Sequence, residues 1–506
     1  MNVAINHIDS GMALRALFDG LTDTAVLPEL NISGMNIDSR NINPGELFLA
    51  CAGTVRHGVK FIDQAIGNGA IAIALEPAPE TEGFDYEQYS VPVFPVERLH
   101  TLVSELAGRF YGHPSEKMQV VGVTGTNGKT SVSQFIAQAI ARSKPCGLVG
   151  TLGSGIVGEL HDTGHTTPDA VVMQSELAKI NEAGAGHVVM ETSSHALDQG
   201  RVNAVKFDLA IFTNLSHEHL DYHGDMLSYA GAKRRLLEMP GLHSALINSD
   251  DGVGREWLAN PPQGVEMVSY GLALNSKGER PDIYADNLQL TTSGMQFSVH
   301  TRWGEGEINS PLLGRFNAAN LLAALGALLL LGFEFEDALQ RLNKVETVPG
   351  RMERFGAESQ PMVVVDFAHT PDALQQVLNA LREHTSGRLW CIFGCGGERD
   401  CEKRPKMGHI AEEFADSVIV TDDNPRRENA INIIEDITRT LENPDAVYIN
   451  RDRAAAIERT IGLATSEDVI LVAGKGHETE QVVERRRIPY SDRETVARLL
   501  GEVVRD

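Results

Sequence analysis

The stretch Thr124-Gly-Thr-Asn-Gly-Lys-Thr-Ser131 carries residue types suited to gripping a triphosphate. Glycines let backbone N–H groups close on phosphate oxygens. Lys129 would lie against the outer phosphates and the Thr130 hydroxyl would meet Mg2+. Gly125, Thr126, Asn127, Gly128 and Ser131 complete the loop. The loop is not a strict Walker sequence: glycines fall at 122, 125 and 128, and Val123 stands where that pattern has its first Gly. Val188-Val-Met-Glu191 is an apolar run ending in a carboxylate, the place of an acid that holds Mg2+ directly or through water. Asn214–His223 is dense in His and acidic residues; it reads as polar surface or as a metal-facing loop, with His219 the candidate ligand. Lys233, in the helical stretch Tyr229–Leu236, reads by residue type alone as a solvated lysine.

Elements must position these groups. Val120–Val123 is a strand-like apolar run before the glycine loop, and Val132–Ala141 is a helical pattern after it. Val188–Glu191, Leu209–Thr213 and Ala245–Asn248 repeat the strand signal, with helical patterns between most of them. This alternation predicts a mostly parallel sheet with helices on its faces, ligands gathering at the strands' carboxyl ends. Residues 264–312 alternate and are rich in Gly, Ser and Thr, which predicts a small antiparallel section. Before this block, Met35–Asp38, Leu47–Cys51 and Ala70–Leu75 read as short strands, with Asn43-Pro44-Gly45 a turn between the first two. After Val348-Pro349-Gly350, a breaker and expected hinge, alternation resumes with Met362–Val365, Leu389–Phe393, Ser417–Thr421, Ala446–Ile449 and Val469–Val472. The expected fold is α/β in three domains. These are a small N-terminal α/β domain over 1–112, a central P-loop ATPase-like domain over 113–348, and a C-terminal Rossmann-like domain over 349–506.

Bulk properties narrow the class. A formal charge of −25 argues against nonspecific nucleic-acid binding and fits simple solubility. The five cysteines form no CxxC pair, and Cys391, Cys395 and Cys401 lack zinc spacing, so reduced structural thiols are expected. No basic segment with an apolar core opens the sequence, and Leu321–Phe333 is too short to span a bilayer. A cytoplasmic, monomeric globular enzyme without membrane insertion is the expectation.

Taken together, Thr124–Ser131, Glu191–His195, Asn214–Leu220, Tyr222–Asp225, Gly314–Asn317, Gly350–Glu353 and Asp366–Pro371 resemble the Mur ligase family, in one consistent order. Those enzymes lengthen the peptide stem of the bacterial cell-wall precursor. The resemblance implies ATP and Mg2+, and a carbamylated Lys233 that places Mg2+ with Glu191, His219 and Thr130. It implies that Asn317 touches adenine and that Arg351 and Asp366 approach the nucleotide. Ile37 and Ser39 would hold a uridine end, with Thr54, Val55 and Arg56 near its pyrophosphate. His165, Thr166, Thr167, Ser193, Gln199 and Arg201 would grip a muramoyl-dipeptide.

Asp38-Ser-Arg40, Asp423-Asn-Pro-Arg426 and Gly474–Glu478 resemble the branch of that family that adds diaminopimelate. Its substrates are UDP-N-acetylmuramoyl-L-alanyl-D-glutamate and meso-diaminopimelate. Arg399, Asp423, Asn424, Pro425, Arg426, Gly474 and Glu478 are the implied amino-acid site. An arginine fork suits the distal carboxylate that distinguishes diaminopimelate from lysine. By residue type alone, Arg426 beside Arg427 reads equally as a surface arginine. Departures from the family pattern are Phe367 where Tyr is common, Val55-Arg56-His57-Gly58 where Asp-Gly is frequent, and Glu398 for Asp. Rival expectations are a sister ligase that adds lysine or D-Ala-D-Ala, a folylpolyglutamate synthetase, and a catalytically idle nucleotide-sensing scaffold.

Overall fold

The computed structural model describes residues 11–24, 27–53, 56–272, 278, 280–291, 294–357 and 359–504. Two compact units make up the chain, residues 1–269 and 270–506.

In the first unit, the strands Gly34–Asn36, Glu46–Ala50, Ala72–Leu75 and Val93–Pro95 form a parallel sheet in that order. Successive side chains of a strand point to opposite faces. Leu47 and Leu49 therefore enter one apolar cluster, and Phe48 and Ala50 another. The first strand stops at Asn36, short of Asp38, because the Asp38 carboxylate accepts from the Arg40 N–H and caps the turn Ser39–Asn41. Val93–Pro95 is a strand the sequence patterns did not reveal.

A larger sheet in the same unit runs in the order Glu159–His161, Gly153–Ile156, Cys146–Gly150, His187–Glu191, Gln119–Thr124, Leu209–Phe212, Ser244–Asn248. The last five are mutually parallel and the first two form an antiparallel hairpin on their edge. Strands covered on both faces read as continuous apolar runs, which is why four of these were legible. Glu191 pairs with Val123, and Phe212 pairs with Thr124, so three carboxyl ends finish level with one another. That edge is where an open α/β sheet binds ligands.

In the second unit, Ile283–Thr291, Gly294–Thr301 and Gly304–Ser310 are antiparallel, as the alternating pattern predicted. The helix Arg315–Leu330 is buried over most of its length, and among the described residues no helix is long and apolar enough to cross a membrane. A second sheet runs Glu353–Phe355, Met362–Asp366, Val469–Ala473, Leu389–Phe393, Ser417–Val420, Tyr448–Ile449, parallel except for its first strand. The outer strand begins at Tyr448 rather than Ala446, because Pro444 opens a single turn over Pro444–Ala446. The hairpin Glu480–Val483 with Arg486–Pro489 lies beyond the sequence patterns.

Candidate active site

The glycine loop follows Gln119–Thr124 and leads into the helix Lys129–Ala141. A Cβ on Gly125, at φ +149°, would stand 1.9 Å from the Thr213 Oγ1, so only glycine permits this close approach. Gly128, at φ +85°, is the residue that enters the helix. The neighbouring strand end braces the loop. Asn127 N–H donates to the Asn214 side-chain oxygen at 2.9 Å, and Thr213 Oγ1 donates to the Asn127 carbonyl at 2.6 Å. Thr126 N–H donates to the Asn214 carbonyl at 2.8 Å, and the Thr126 hydroxyl meets the Tyr229 hydroxyl at 3.2 Å. The result is a fixed loop at a helix N-terminus, suited to binding phosphate. Lys129 Nζ donates to the Gly125 and Thr126 carbonyls, 2.9 Å from each.

Glu191 ends its strand almost fully buried and gathers the neighbouring loops. Its Oε2 accepts from Thr130 Oγ1 at 2.9 Å and from Thr151 Oγ1 at 3.1 Å, and its Oε1 accepts from Thr151 N–H at 2.8 Å. Thr151 had no signal of its own in the sequence; it is placed by Cys146–Gly150, a strand whose two glycines hid it. Thr166 Oγ1 lies 3.0 Å from Thr151 Oγ1, and Thr167 Oγ1 donates to the Glu191 carbonyl at 2.8 Å. Ser193 N–H donates to Thr167 Oγ1, and Arg201 Nη1 donates to the Thr167 carbonyl. Gln199 Oε1 accepts two bonds from the Arg201 guanidinium. Thr166, Thr167, Ser193, Gln199 and Arg201 are thus one connected network around Glu191. The Ser193 hydroxyl is engaged as the cap of the helix Ser194–Asp198, accepting from Ala196 N–H. His165 is exposed beside them.

Lys233 is not the solvated lysine its residue type suggests: it is 1% exposed. Its Nζ donates to the Gly125 carbonyl at 2.7 Å and stands 4.5 Å from the Tyr229 ring centre. Burial first, and the charge of Lys129 second, hold its amine well below the ordinary lysine range, with Glu218 opposing. His219, at φ +57°, packs its ring against the same tyrosine and against His195, with centroids 6.2 and 4.7 Å apart. Burial and the neighbouring His219 and His223 push His195 down to about 4, so it is neutral near pH 7. Tyr229 itself is pushed up to about 12, mainly by burial.

The remaining expected residues of the first unit are at its smaller sheet. Ser39 is buried, with its hydroxyl on Gln64 Oε1 at 2.7 Å, whereas Ile37 and Arg56 are exposed. Thr54 and Val55 lie outside the described residues.

The second unit holds the others. Asn317 is buried, its amide donating to the Leu313 carbonyl and accepting from Asn320. Arg351 lies over the Phe367 ring, 4.8 Å from its centre. Asp366 is buried with its two oxygens on Met352 N–H and Ala368 N–H, each at 2.7 Å. Burial raises its carboxyl, with Arg351 opposing.

Three loops at the carboxyl ends of the second sheet bring together Arg399, Asp423–Arg426 and Gly474–Glu478. Arg426 is half-buried at φ +52°, with Nη1 donating to the Gly397 carbonyl at 2.9 Å. Among the described residues no carboxylate pairs with it. Pro425 is buried and Arg399 is exposed. Gly396 is near both arginines: a Cβ there would meet Arg426 Nη1 at 2.9 Å and Arg399 Cγ at 3.7 Å. Asp423 is buried, which raises its carboxyl, with Arg453 and then Lys475 opposing. Lys475, which the sequence patterns passed over, is fully buried between Asn424 and Glu478.

Comparison with known proteins covers nearly the whole chain. The model of the Mur ligase family catalytic domain matches residues 31–111, that of the Mur ligase middle domain 123–328, and that of the Mur ligase glutamate ligase domain 350–476. The UDP-N-acetylmuramoyl-L-alanyl-D-glutamate–2,6-diaminopimelate ligase of Coxiella burnetii is 44% identical over 97% of this chain and 100% of its own length. The enzyme of that name from Pseudomonas aeruginosa is 48% identical over 94% of this chain and 96% of its own. A solved structure of a ligase of the same name superposes with a TM-score of 0.70 at 33% identity, covering 97% of this chain and 99% of the other. A MurF structure from Acinetobacter baumannii, 18% identical with a TM-score of 0.65, shares the fold. With three family domains in order and relatives matched end to end, the chain belongs to the Mur ligase family.

Proposed function

We propose that this protein is an ATP-dependent ligase that adds meso-2,6-diaminopimelate to UDP-N-acetylmuramoyl-L-alanyl-D-glutamate in the cytoplasm. Its relatives are named for this reaction. The observation that carries the reading is Arg426. A half-buried guanidinium without a carboxylate partner among the described residues is costly, and the distal carboxylate of diaminopimelate supplies that partner. Lysine would leave it unpaired.

The chemistry follows from the phosphate loop. A carboxylate is a poor acyl donor at neutral pH. Attack of the precursor's glutamate γ-carboxylate on the ATP γ-phosphorus forms an acyl phosphate and releases ADP. The diaminopimelate amine then attacks the acyl carbon, loses a proton, and displaces phosphate. Gly125–Gly128 hold the phosphates in line, and Lys129 offsets the charge of the transferring group. Thr166, Thr167, Ser193, Gln199 and Arg201 orient the muramoyl-dipeptide, while Asn317, Arg351 and Asp366 serve the nucleotide. Beside the small sheet, Ile37 and Ser39 serve the uridine end and Arg56 its pyrophosphate.

The donor set fits Mg2+. Glu191 and Thr130 are hard oxygen donors within 2.9 Å of each other. Among the described residues, no cluster of three His, Cys, Asp or Glu side chains could cage an ion. Mg2+ sites of this kind use one or two carboxylates and complete themselves with substrate phosphates and water. Bound Mg2+ neutralises phosphate charge. Lys233 is suited to supply a further anion: a buried neutral amine captures CO2, an N–C bond forms, and one proton leaves. The carbamate would join Glu191 and His219.

Phosphate release is the test. With ATP, Mg2+ and the muramoyl-dipeptide, release is expected with diaminopimelate and not with lysine or D-Ala-D-Ala. Release with lysine alone defeats the reading; release with none favours an idle scaffold. R426A is expected to raise KM for diaminopimelate about a hundredfold.

A further inference from the structure

Lys475 is 0% exposed, yet its ammonium is saturated. It donates to Glu478 Oε2 at 2.7 Å, to the Glu480 carbonyl at 2.8 Å and to Asn424 Oδ1 at 3.2 Å, with Asp423 Oδ1 at 4.0 Å. Three donors thus have three acceptors, and none remains for a ligand. Asn424 Oδ1 also accepts from Val482 N–H at 2.9 Å, which fixes the orientation of the amide. Its Nδ2 is thereby turned onto Glu478 Oε2, at 2.9 Å. Glu478 Oε2 receives two donors, while Oε1 has no partner among the described residues. The glutamate side chain keeps 33% exposure, so that second oxygen is reachable.

The same lysine ties two segments together. The Glu480–Val483 strand reaches the Asp423–Arg426 loop through Gln481 Nε2 on the Asp423 carbonyl at 2.6 Å and Arg426 N–H on the Val482 carbonyl at 2.9 Å. Lys475 stands where the loop, the strand and Glu478 meet.

We propose that Lys475 is a positioning residue for amino-acid selection: by pinning Glu478 Oε2 it presents Oε1 to an ammonium group of the incoming diaminopimelate. This rests on the diaminopimelate reading above. A carboxylate held by two donors is pre-oriented, so little freedom is lost when the ligand's ammonium arrives. Without Lys475, Glu478 Oε2 keeps only the Asn424 amide as a donor and is held less firmly.

The test uses the full-length chain and three variants, K475M, E478Q and K475M/E478Q, with KM measured separately for diaminopimelate, ATP and the UDP-precursor. K475M is expected to raise KM for diaminopimelate about tenfold or more, with the other two KM values within about twofold of wild type. Because Lys475 acts through Glu478, the double variant is expected to match E478Q within about twofold. An unchanged KM for diaminopimelate in K475M, or equal rises for all three substrates, overturns the proposal. Where K475M does not fold, the double variant, which removes both buried charges, decides: a KM well above that of E478Q, or failure of the double to fold, makes Lys475 a fold-holding residue and overturns it. Wild-type release with diaminopimelate separates the two claims, since its absence defeats the functional reading before any variant is compared.

Discussion

Lys129 and Lys233 donate to one acceptor, the Gly125 carbonyl oxygen, at 2.9 and 2.7 Å. One lysine belongs to the phosphate loop's own helix and the other arrives from a helix more than a hundred positions away. Two cations so near cannot both be comfortable in a buried place. Lys233, the more buried, is the one driven toward neutrality. The proposed reading uses Lys129 for phosphate and Lys233 for CO2 capture.

K129A is expected to abolish ADP release, by about a thousandfold or more, while leaving the thermal midpoint nearly unchanged. In the structure its ammonium donates to two carbonyls of the loop, both on residues held by other contacts. Turnover near wild type would remove Lys129 from the mechanism.

Lys233 makes a pH prediction. Its amine is neutral in the folded chain and charged in the unfolded one between its lowered pKa and the ordinary 10.5. Across that window the unfolded state binds more protons, so stability rises with pH. In CO2-depleted buffer, K233M is expected to be more stable than wild type at neutral pH, with a flatter dependence of urea midpoint on pH. It should lose turnover by about a thousandfold, because no carbamate can form. In wild type, a carbamate signal from 13C-labelled bicarbonate is expected and should vanish in K233M.

Gly125→Ala places a methyl group 1.9 Å from Thr213 Oγ1 and 3.1 Å from Asn214 N. The loop must shift from its brace. A displacement of about 1 Å in a positioning loop costs roughly a hundredfold in rate. Phosphate release by G125A should fall by about that factor, and unchanged kinetics would show that the loop closes differently.

Arg453 and Asp492 form a buried pair, 1% and 0% exposed, with two bonds of 2.8 and 2.7 Å. Replacing Arg453 with Met strands the carboxylate, leaving it the Tyr490 hydroxyl as a side-chain donor at 3.0 Å. A loss of about 3–5 kcal/mol is expected in urea unfolding. A change below about 1 kcal/mol would mean that Asp492 takes up a proton at little cost.

The sequence by itself determined the phosphate loop, the strand ends that carry Glu191 and Thr213, and the parallel sheets, because each is written in neighbouring residues. An apolar run, a glycine at a fixed offset and a helical period are local signals. It also contained the family resemblance, and with it the expected site residues. Only the tertiary structure decided which charges are buried. Lys233 reads as solvated beside Arg234 and Arg235, and becomes buried through contacts with Tyr229 and a carbonyl 108 positions distant. Arg426 reads as one of two surface arginines, and is half-buried because its backbone pairs with Val482. Thr151 and Lys475 stayed invisible for the same reason. Their acceptors, Glu191 and Asn424, lie 40 and 51 positions away, and no local period records a contact made across a sheet.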